Sequence, residues 1–161
     1  HWNNADGQIY LTGGVSNYGL GRCADPDNPG AMSQGYANRI AQIRELGAYP
    51  SEGFGFDFNG LAGGPRPRFG DDSHCSGEQS NPVTYPFTSY AGDITFTEPQ
   101  LGDRSVDFNY EGMIHFGLLP EVIEDARNDG MGEDDLEALF RSAEGYIRMW
   151  ERAEERAATR R

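Results

Sequence analysis

A carboxylate stands among phenylalanines near the middle of the chain, where residue type and surroundings favour chemistry. The segment 53–60, GFGFDFNG, alternates phenylalanine with small or polar residues and stops at a glycine. This period of two predicts a short buried strand with Asp57 at its carboxyl end, where α/β folds place catalytic groups. A buried carboxylate needs a cation, a metal or strong donors. The alternative is a structural Asp in an Asp-x-Asn-Gly turn.

Three helices are predicted to position this segment. A helix over 31–46 precedes it and stops at Gly47, a short helix begins near Pro120, and a long helix covers 133–157. The apolar stripes consist of Met32, Tyr36, Ile40, Ile43 and Leu46, then Leu119, Val122, Ile123 and Ala126, then Leu136, Leu139, Phe140, Ala143, Ile147 and Trp150. We expect all three stripes to bury against one layer that contains 53–57.

The order of these elements resembles the carboxyl-terminal part of the membrane dipeptidase family. The resemblance covers residues 31–60 and 111–152, and the motif at 53–60 is its most specific part. The segments LPEVIED at 119–125 and LFRSAEGYI at 139–147 also contribute. Members of that family are metal-dependent barrels of the amidohydrolase type. The resemblance therefore implies an α/β fold, the carboxyl-terminal segment of a (β/α)8 TIM-barrel-like fold with a long loop and β-hairpin insertion.

On this resemblance the chain is a single partial domain covering 1–161. Residues 1–30 are the loop region after barrel strand seven, 31–60 hold a helix and strand eight, 61–110 form the insertion, and 111–161 hold the carboxyl-terminal helices. A chain of 161 residues is shorter than a whole barrel of about 250. We expect the remainder of the barrel to be another chain or a missing amino-terminal part.

The resemblance also implies a site. In the family the first Asp of the motif lies beside a centre of two zinc ions, so Asp57 is expected to contact metal and to act as the catalytic acid and base. Asn59 stands where the family usually has a second Asp and is expected to contact the substrate, a small peptide or amide. Most metal ligands would lie outside this chain, and the isolated chain is therefore expected to be inactive.

A proline-rich loop with two cations follows the motif. In the barrel interpretation it crosses the active site, where Arg66 or Arg68 would bind a substrate carboxylate through a planar guanidinium. The alternative is a solvated arginine pair, or a salt bridge to Asp71 or Asp72.

Further along the insertion, two alternating segments predict a β-hairpin. Segments 93–97 and 105–108 would pair around a turn at 99–102.

The histidine and cysteine positions leave alternatives open. His115 precedes the short helix, where it bonds a backbone carbonyl or contacts a ligand of the site. In the barrel interpretation Cys23 and Cys75 follow strands seven and eight, whose loops are neighbours. A disulfide and two free thiols are both compatible with this arrangement.

The charge balance excludes some partners. The net charge is −13, from 26 acidic and 13 basic residues, and the basic residues include no lysine. Neither a nucleic acid nor an anionic membrane surface would bind such a chain. No segment approaches the roughly 20 apolar residues of a membrane span. We expect a soluble protein and leave its compartment open, secreted and periplasmic locations included.

Two further functions compete with a hydrolase. The chain could be a non-catalytic subunit or barrel remnant that binds a partner through the insertion at 61–110. A small calcium- or carbohydrate-binding β module in the insertion is a third alternative, based on scattered Asp, Asn and aromatic residues.

Overall fold

A computed structural model describes Cys23, residues 31–53, Gly55 and residues 63–159. These residues form α-helices and small antiparallel sheets, and the chain divides into two compact units. Of the described residues, the first unit contains 34–53, Gly55 and 132–159, and the second contains Cys23, 31–33 and 63–131. Asp57, Asn59 and most of the predicted strand at 53–57 lie outside the described residues, although Gly53 makes an isolated β-bridge.

The described elements are short apart from the first and last helices. In chain order they are α1 (Ala31–Glu45), β1 (Phe87–Thr88), β2 (Thr95–Phe96), β3 (Gln100–Leu101), β4 (Arg104–Ser105), α2 (Phe108–Glu111), a 3₁₀ turn (Phe116–Leu118), α3 (Leu119–Asn128), α4 (Glu133–Phe140) and α5 (Ser142–Thr159). No helix among the described residues is long and apolar enough to cross a membrane.

Helix α1 confirms the helix predicted over 31–46. Tyr36, Ile40 and Ile43 recur at spacings of four and three and are fully buried. Gly47 follows with a φ of 66°, a left-handed conformation that stops a helix at little cost when the residue is glycine. The Tyr36 hydroxyl donates to the backbone oxygen of Glu52 at 2.5 Å, which fixes the segment after α1 against its buried face.

The single helix predicted over 133–157 is two helices, interrupted at Arg141. The predicted stripe is buried at Leu136 and Leu139, whereas Ile147 and Trp150 of α5 are 52% and 58% exposed. Among the described residues of α5 the buried one is instead Gly145, where an added Cβ would clash with Ser51 Oγ. Glycine at this position permits α5 to approach the Ser51 side chain closely.

The predicted stripes lie in two different units, and most of the layer predicted at 53–57 lies outside the described residues. Helix α3 belongs to the second unit, whereas the buried parts of α1 and α4 belong to the first. Its apolar residues Val122 and Ala126 are fully buried. Leu118 and Val106, in the same unit, are also at 0% exposure.

The insertion contains two hairpins, not the one predicted between 93–97 and 105–108. Strand β1 pairs antiparallel with β2, with Phe87 opposite Phe96 and their rings stacked at 5.0 Å. Strands β3 and β4 form a separate hairpin whose turn contains Gly102, at a φ of 64°. Strand β4 pairs with β3 across a two-residue turn, whereas β2 pairs with the preceding strand β1 across residues 89–94. Phe108 begins α2 instead of ending a strand.

Candidate functional site

The second unit has a buried ion pair between the proline-rich loop and α3. Arg68 donates from Nε to Asp125 Oδ2 at 3.1 Å and from Nη2 to Asp125 Oδ1 at 2.5 Å. The side chains are only 4% and 3% exposed. Two parallel bonds from a guanidinium to a carboxylate form the strongest common type of charged pair.

The rest of the Arg68 guanidinium is also bonded within the fold. Nη1 donates to Gln79 Oε1 at 3.1 Å and to the backbone oxygen of Ser80 at 3.3 Å, and Nη2 donates to the backbone oxygen of Asn81 at 3.3 Å. Arg68 therefore joins α3 to two loop segments and has no donor left for a substrate carboxylate. The predicted role of Arg68 as a substrate clamp is wrong, and its acidic partner is Asp125, not Asp71 or Asp72.

Backbone contacts hold the loop that presents Arg68. Met113 donates its backbone N–H to Pro65 oxygen at 2.8 Å, and Ser73 Oγ donates to Arg68 oxygen at 2.7 Å. Gly112, at a φ of 70°, allows this approach, because a Cβ there would lie 2.5 Å from Pro65 oxygen. The loop is thus fixed at both ends of its proline segment. The other predicted clamp, Arg66, is exposed on this loop and stays a candidate for substrate contact.

A second buried carboxyl lies one helical turn before Asp125. Glu121, in the first turn of α3, is 3% exposed. Its Oε1 accepts a hydrogen bond from the Tyr85 hydroxyl at 3.4 Å, and its Oε2 has no partner among the described residues. A buried oxygen without a partner carries the full cost of its desolvation. Glu121 is therefore the less satisfied of the two carboxyls.

The pKa values of this second group follow from its burial. Burial raises the pKa of the Glu121 carboxyl, while hydrogen bonds from the backbone and Tyr85 and the nearby His115 imidazole lower it only in part. Burial and the Glu121 charge also raise the pKa of Tyr85. The tyrosine therefore stays protonated, and its hydroxyl donates a hydrogen bond to Glu121 Oε1. Burial therefore favours the protonated form of this carboxyl.

His115 caps the 3₁₀ turn and adds a second unsatisfied atom. Its Nδ1 accepts from the backbone N–H of Gly117 at 3.0 Å, so the contact is to an amide and not to the carbonyl that was predicted. Neutral His115 then carries its proton on Nε2, and that nitrogen is buried with no partner among the described residues. Nε2 of His115 and Oε2 of Glu121 are complementary, one a donor and one an acceptor.

Sequence analysis missed Glu121, Asp125 and Tyr85, although α3 contained a signal. Glu121, Asp125 and Asp129 recur every four residues and therefore share a helix face with Val122 and Ala126. All three carboxyl residues are buried, with 3%, 2% and 8% exposure. Acidic residues on an apolar face of a helix predict that these side chains are buried and paired within the fold.

A third cluster contains both cysteines. Cys23 and Cys75 form a disulfide across 52 residues of sequence, which is one of the two alternatives that the sequence left open. His74 Nε2 lies 3.3 Å from Cys23 Sγ. Among the described residues this is the one group of three or more His, Cys, Asp or Glu side chains close enough to share a metal ion.

The described residues do not fit the two-zinc centre implied by the family resemblance. The disulfide uses both sulfur atoms of the cysteine cluster, and the paired Asp125 has no free oxygen to offer. Among the described buried side-chain atoms without a partner, Glu121 Oε2 can accept a metal, whereas Nε2 of neutral His115 carries a proton. On the family resemblance such a centre would need Asp57, which lies outside the described residues, and further ligands that the described residues do not supply.

Comparisons with known proteins gave no relative. No protein-family model, curated protein or solved structure matches this chain.

Proposed function

We propose that this chain is the carboxyl-terminal portion of a metal-dependent hydrolase that resembles membrane dipeptidase and cleaves an amide or peptide bond. The observation that carries the proposal is the motif GFGFDFNG at 53–60, with Asp57 at the end of a predicted strand. The finer fold assignment, a segment of a (β/α)8 barrel, is part of the same proposal.

The positions of the helices support the proposal. Helix α1 precedes the motif, and α3, α4 and most of α5 fall within 111–152, the second stretch of the family resemblance. The order of helix, motif, insertion and carboxyl-terminal helices therefore agrees with the resemblance over most of its length.

Exposed apolar surface on the last two helices also supports an incomplete fold. Phe140, Tyr146, Ile147 and Trp150 are between 49% and 58% exposed. An amphipathic helix normally buries such residues against a neighbouring layer. The remainder of the barrel, as another chain or as an amino-terminal part, would cover them.

In this proposal Asp57 performs the proton transfers. A metal centre would supply an activated water. The carboxylate of Asp57 would orient the water, take its proton during attack on the amide carbonyl, and return the proton to the leaving amine. Asn59 and the exposed Arg66 would contact the peptide substrate, Arg66 through a substrate carboxylate. These substrate contacts do not use Arg68, whose donors are already bonded within the fold.

The disulfide bears on the compartment. Disulfides persist in oxidising environments and are rare in the cytosol of most organisms. The disulfide therefore supports a secreted or periplasmic location as part of this proposal.

Dipeptide hydrolysis and zinc content test the proposal. The chain alone should be inactive, and the full-length polypeptide that carries it should hydrolyse dipeptides. In that polypeptide Asp57→Asn should keep its zinc and lower kcat by roughly 10²–10⁴-fold. Asp71→Asn, in an exposed loop, is the matched control and should turn over normally. Near-normal turnover by Asp57→Asn with full zinc would contradict the proposal.

A specific observation favours a second candidate function, partner binding through the insertion. Tyr90, Ile94 and Leu101 lie on or beside its hairpins and are 46%, 53% and 51% exposed. If the insertion is the functional surface, Ile94→Glu with Leu101→Glu should abolish complex formation in gel filtration with the native partner. The hydrolase proposal instead predicts that this double variant keeps normal turnover and elutes as the wild type does.

A further inference from the structure

The second unit contains sulfur and imidazole groups that the proposed function does not use. The disulfide sulfurs of Cys23 and Cys75 and a ring nitrogen of His74 all lie within 4.8 Å of one another. None of these residues belongs to the motif at 53–60.

The His74 ring is oriented by the backbone. Its Nδ1 lies 3.0 Å from the carbonyl oxygen of Pro67, closer than the 4.0 Å that separates Nδ1 from Cys75 Sγ. A carbonyl oxygen only accepts, so Nδ1 carries the proton in this contact. The neutral ring then has its lone pair on Nε2, the nitrogen 3.3 Å from Cys23 Sγ.

This orientation is the one that a metal-binding histidine requires. Histidine ligands commonly donate their remote N–H to a carbonyl or carboxylate, which fixes the tautomer and directs the other nitrogen at the metal. In the oxidised chain Nε2 faces a disulfide sulfur, which has no hydrogen to donate. The lone pair is therefore aimed at a group that becomes a metal ligand only after reduction.

We propose that reduction of the Cys23–Cys75 disulfide converts this cluster into a zinc site. A dithiol reductant transfers two electrons and two protons, so that the S–S bond breaks, two thiols form, and the reductant becomes a disulfide. Zinc then binds both sulfurs as thiolates and His74 Nε2, and the two thiol protons pass to solvent. Two sulfur ligands and one nitrogen suit zinc, and water completes a tetrahedral site.

Exposure permits both steps. His74 is exposed, and Cys23 and Cys75 are partly exposed, so a small dithiol and a metal ion can reach them. The two ligands from the 74–75 segment are adjacent in sequence, and only Cys23 comes from a distant segment. Metal binding at this site would thus depend on the redox state of the compartment.

Cobalt titration of the full chain tests this inference, because thiolate-bound Co²⁺ gives intense near-ultraviolet charge-transfer absorption. The chain is reduced, freed of reductant under anaerobic conditions, and titrated with Co²⁺ in excess Mg²⁺, which occupies weak acidic sites on a chain of net charge −13. The reduced chain should bind a single ion with that absorption, and zinc should displace it. The oxidised chain should show no such absorption.

Variants identify the ligands. Cys23→Ser should abolish the absorption, and His74→Ala should weaken binding beyond the about 10–100-fold expected for loss of an outer hydrogen-bond partner. Asp72→Asn, an exposed neighbour, is the matched control and should bind as the wild type does. A reduced wild-type chain without the absorption, or a His74→Ala variant with unchanged affinity, would overturn the proposal.

A titration in denaturing urea separates a folded site from two cysteines in an unfolded chain. The affinity should fall sharply in urea, because Cys23 and His74 are brought together by the fold. Equal affinity in buffer and in urea would also overturn the proposal. The outcome does not depend on hydrolase activity, so the two proposals can fail separately.

Discussion

The buried face of α3 has two carboxyls one turn apart, and their surroundings differ. Asp125 accepts two hydrogen bonds from Arg68, whose remaining donors are bonded to loop oxygens. Glu121 is equally buried, yet its bond from the Tyr85 hydroxyl is long, at 3.4 Å, and its Oε2 has no partner among the described residues. The same helix face thus contains one satisfied carboxyl and one that is not.

Burial has different consequences for the two carboxyls because their hydrogen-bond partners differ. Burial raises the pKa of the Asp125 carboxyl, but the Arg68 guanidinium counters this with two hydrogen bonds and a full charge. At Glu121 the contacts that oppose the effect of burial on the pKa are weaker, so burial favours the protonated carboxyl. Asp125 is therefore a paired structural group, whereas Glu121 is a buried carboxyl whose charged form lacks adequate partners.

The largest effect is expected at Arg68. Arg68→Met should lower the free energy of unfolding by about 3–5 kcal/mol, because it leaves the buried Asp125 carboxylate without its counter-charge. Arg66→Met, on the exposed face of the same loop, should change it by no more than about 0.5 kcal/mol. Urea denaturation of the two variants measures this difference, and equal losses would remove the distinction between the two arginines.

A double variant sharpens the interpretation of the pair. Arg68→Met combined with Asp125→Leu removes both charges, so no buried charge is left uncompensated. We expect the double variant to be more stable than Arg68→Met alone. A double-mutant cycle measures the coupling, and losses that simply add would show that the two side chains act independently.

Features determined by neighbouring residues could be predicted from the sequence, whereas features determined by distant contacts could not. Helix α1 was predicted to within a residue, because its stripe and Gly47 are local signals. The interruption at Arg141 was not, because it depends on how α5 packs against Ser51 through Gly145.

The candidate site depended still more on distant contacts. Arg68 and Asp125 are 57 residues apart in sequence, and nothing near either residue specifies the other. Local composition therefore suggested Asp71 and Asp72 as acidic partners, whereas the fold provides Asp125. The spacing of Glu121, Asp125 and Asp129 on α3 was the local clue to buried acidic groups.

The pH dependence of stability should differ between wild type and Glu121→Gln. Because the folded pKa of Glu121 is raised, its contribution to stability is fully present below the unfolded value of 4.5 and is lost as pH rises through the folded pKa. Glu121→Gln should abolish this loss. Urea midpoints across that pH range measure it, with Glu124→Gln on the less buried side of α3 as the control for net charge. Parallel profiles for wild type and Glu121→Gln would contradict the assignment.

The smallest effect is expected at Tyr85. Tyr85→Phe removes a bond of 3.4 Å, so the loss of stability should not exceed about 0.5–1.5 kcal/mol. The pKa of Glu121 should rise further, because the lost hydroxyl stabilised the charged carboxylate. Thermal unfolding measures the first effect. A loss as large as that of Arg68→Met would mean that the Glu121 end of α3 is also a structural pair.

Carboxyl NMR titration of Glu121 in the folded wild-type chain tests the central claim most directly, namely that this carboxyl is buried without adequate partners. Selective ¹³C labelling of glutamate, with Glu121→Gln to assign the resonance, follows its protonation residue by residue. The account predicts a titration midpoint above 4.5, the ordinary glutamic acid value, while the fold stays intact. A midpoint at or below 4.5 would show that the charged Glu121 carboxylate has adequate partners, and the contrast between the two carboxyls would be contradicted.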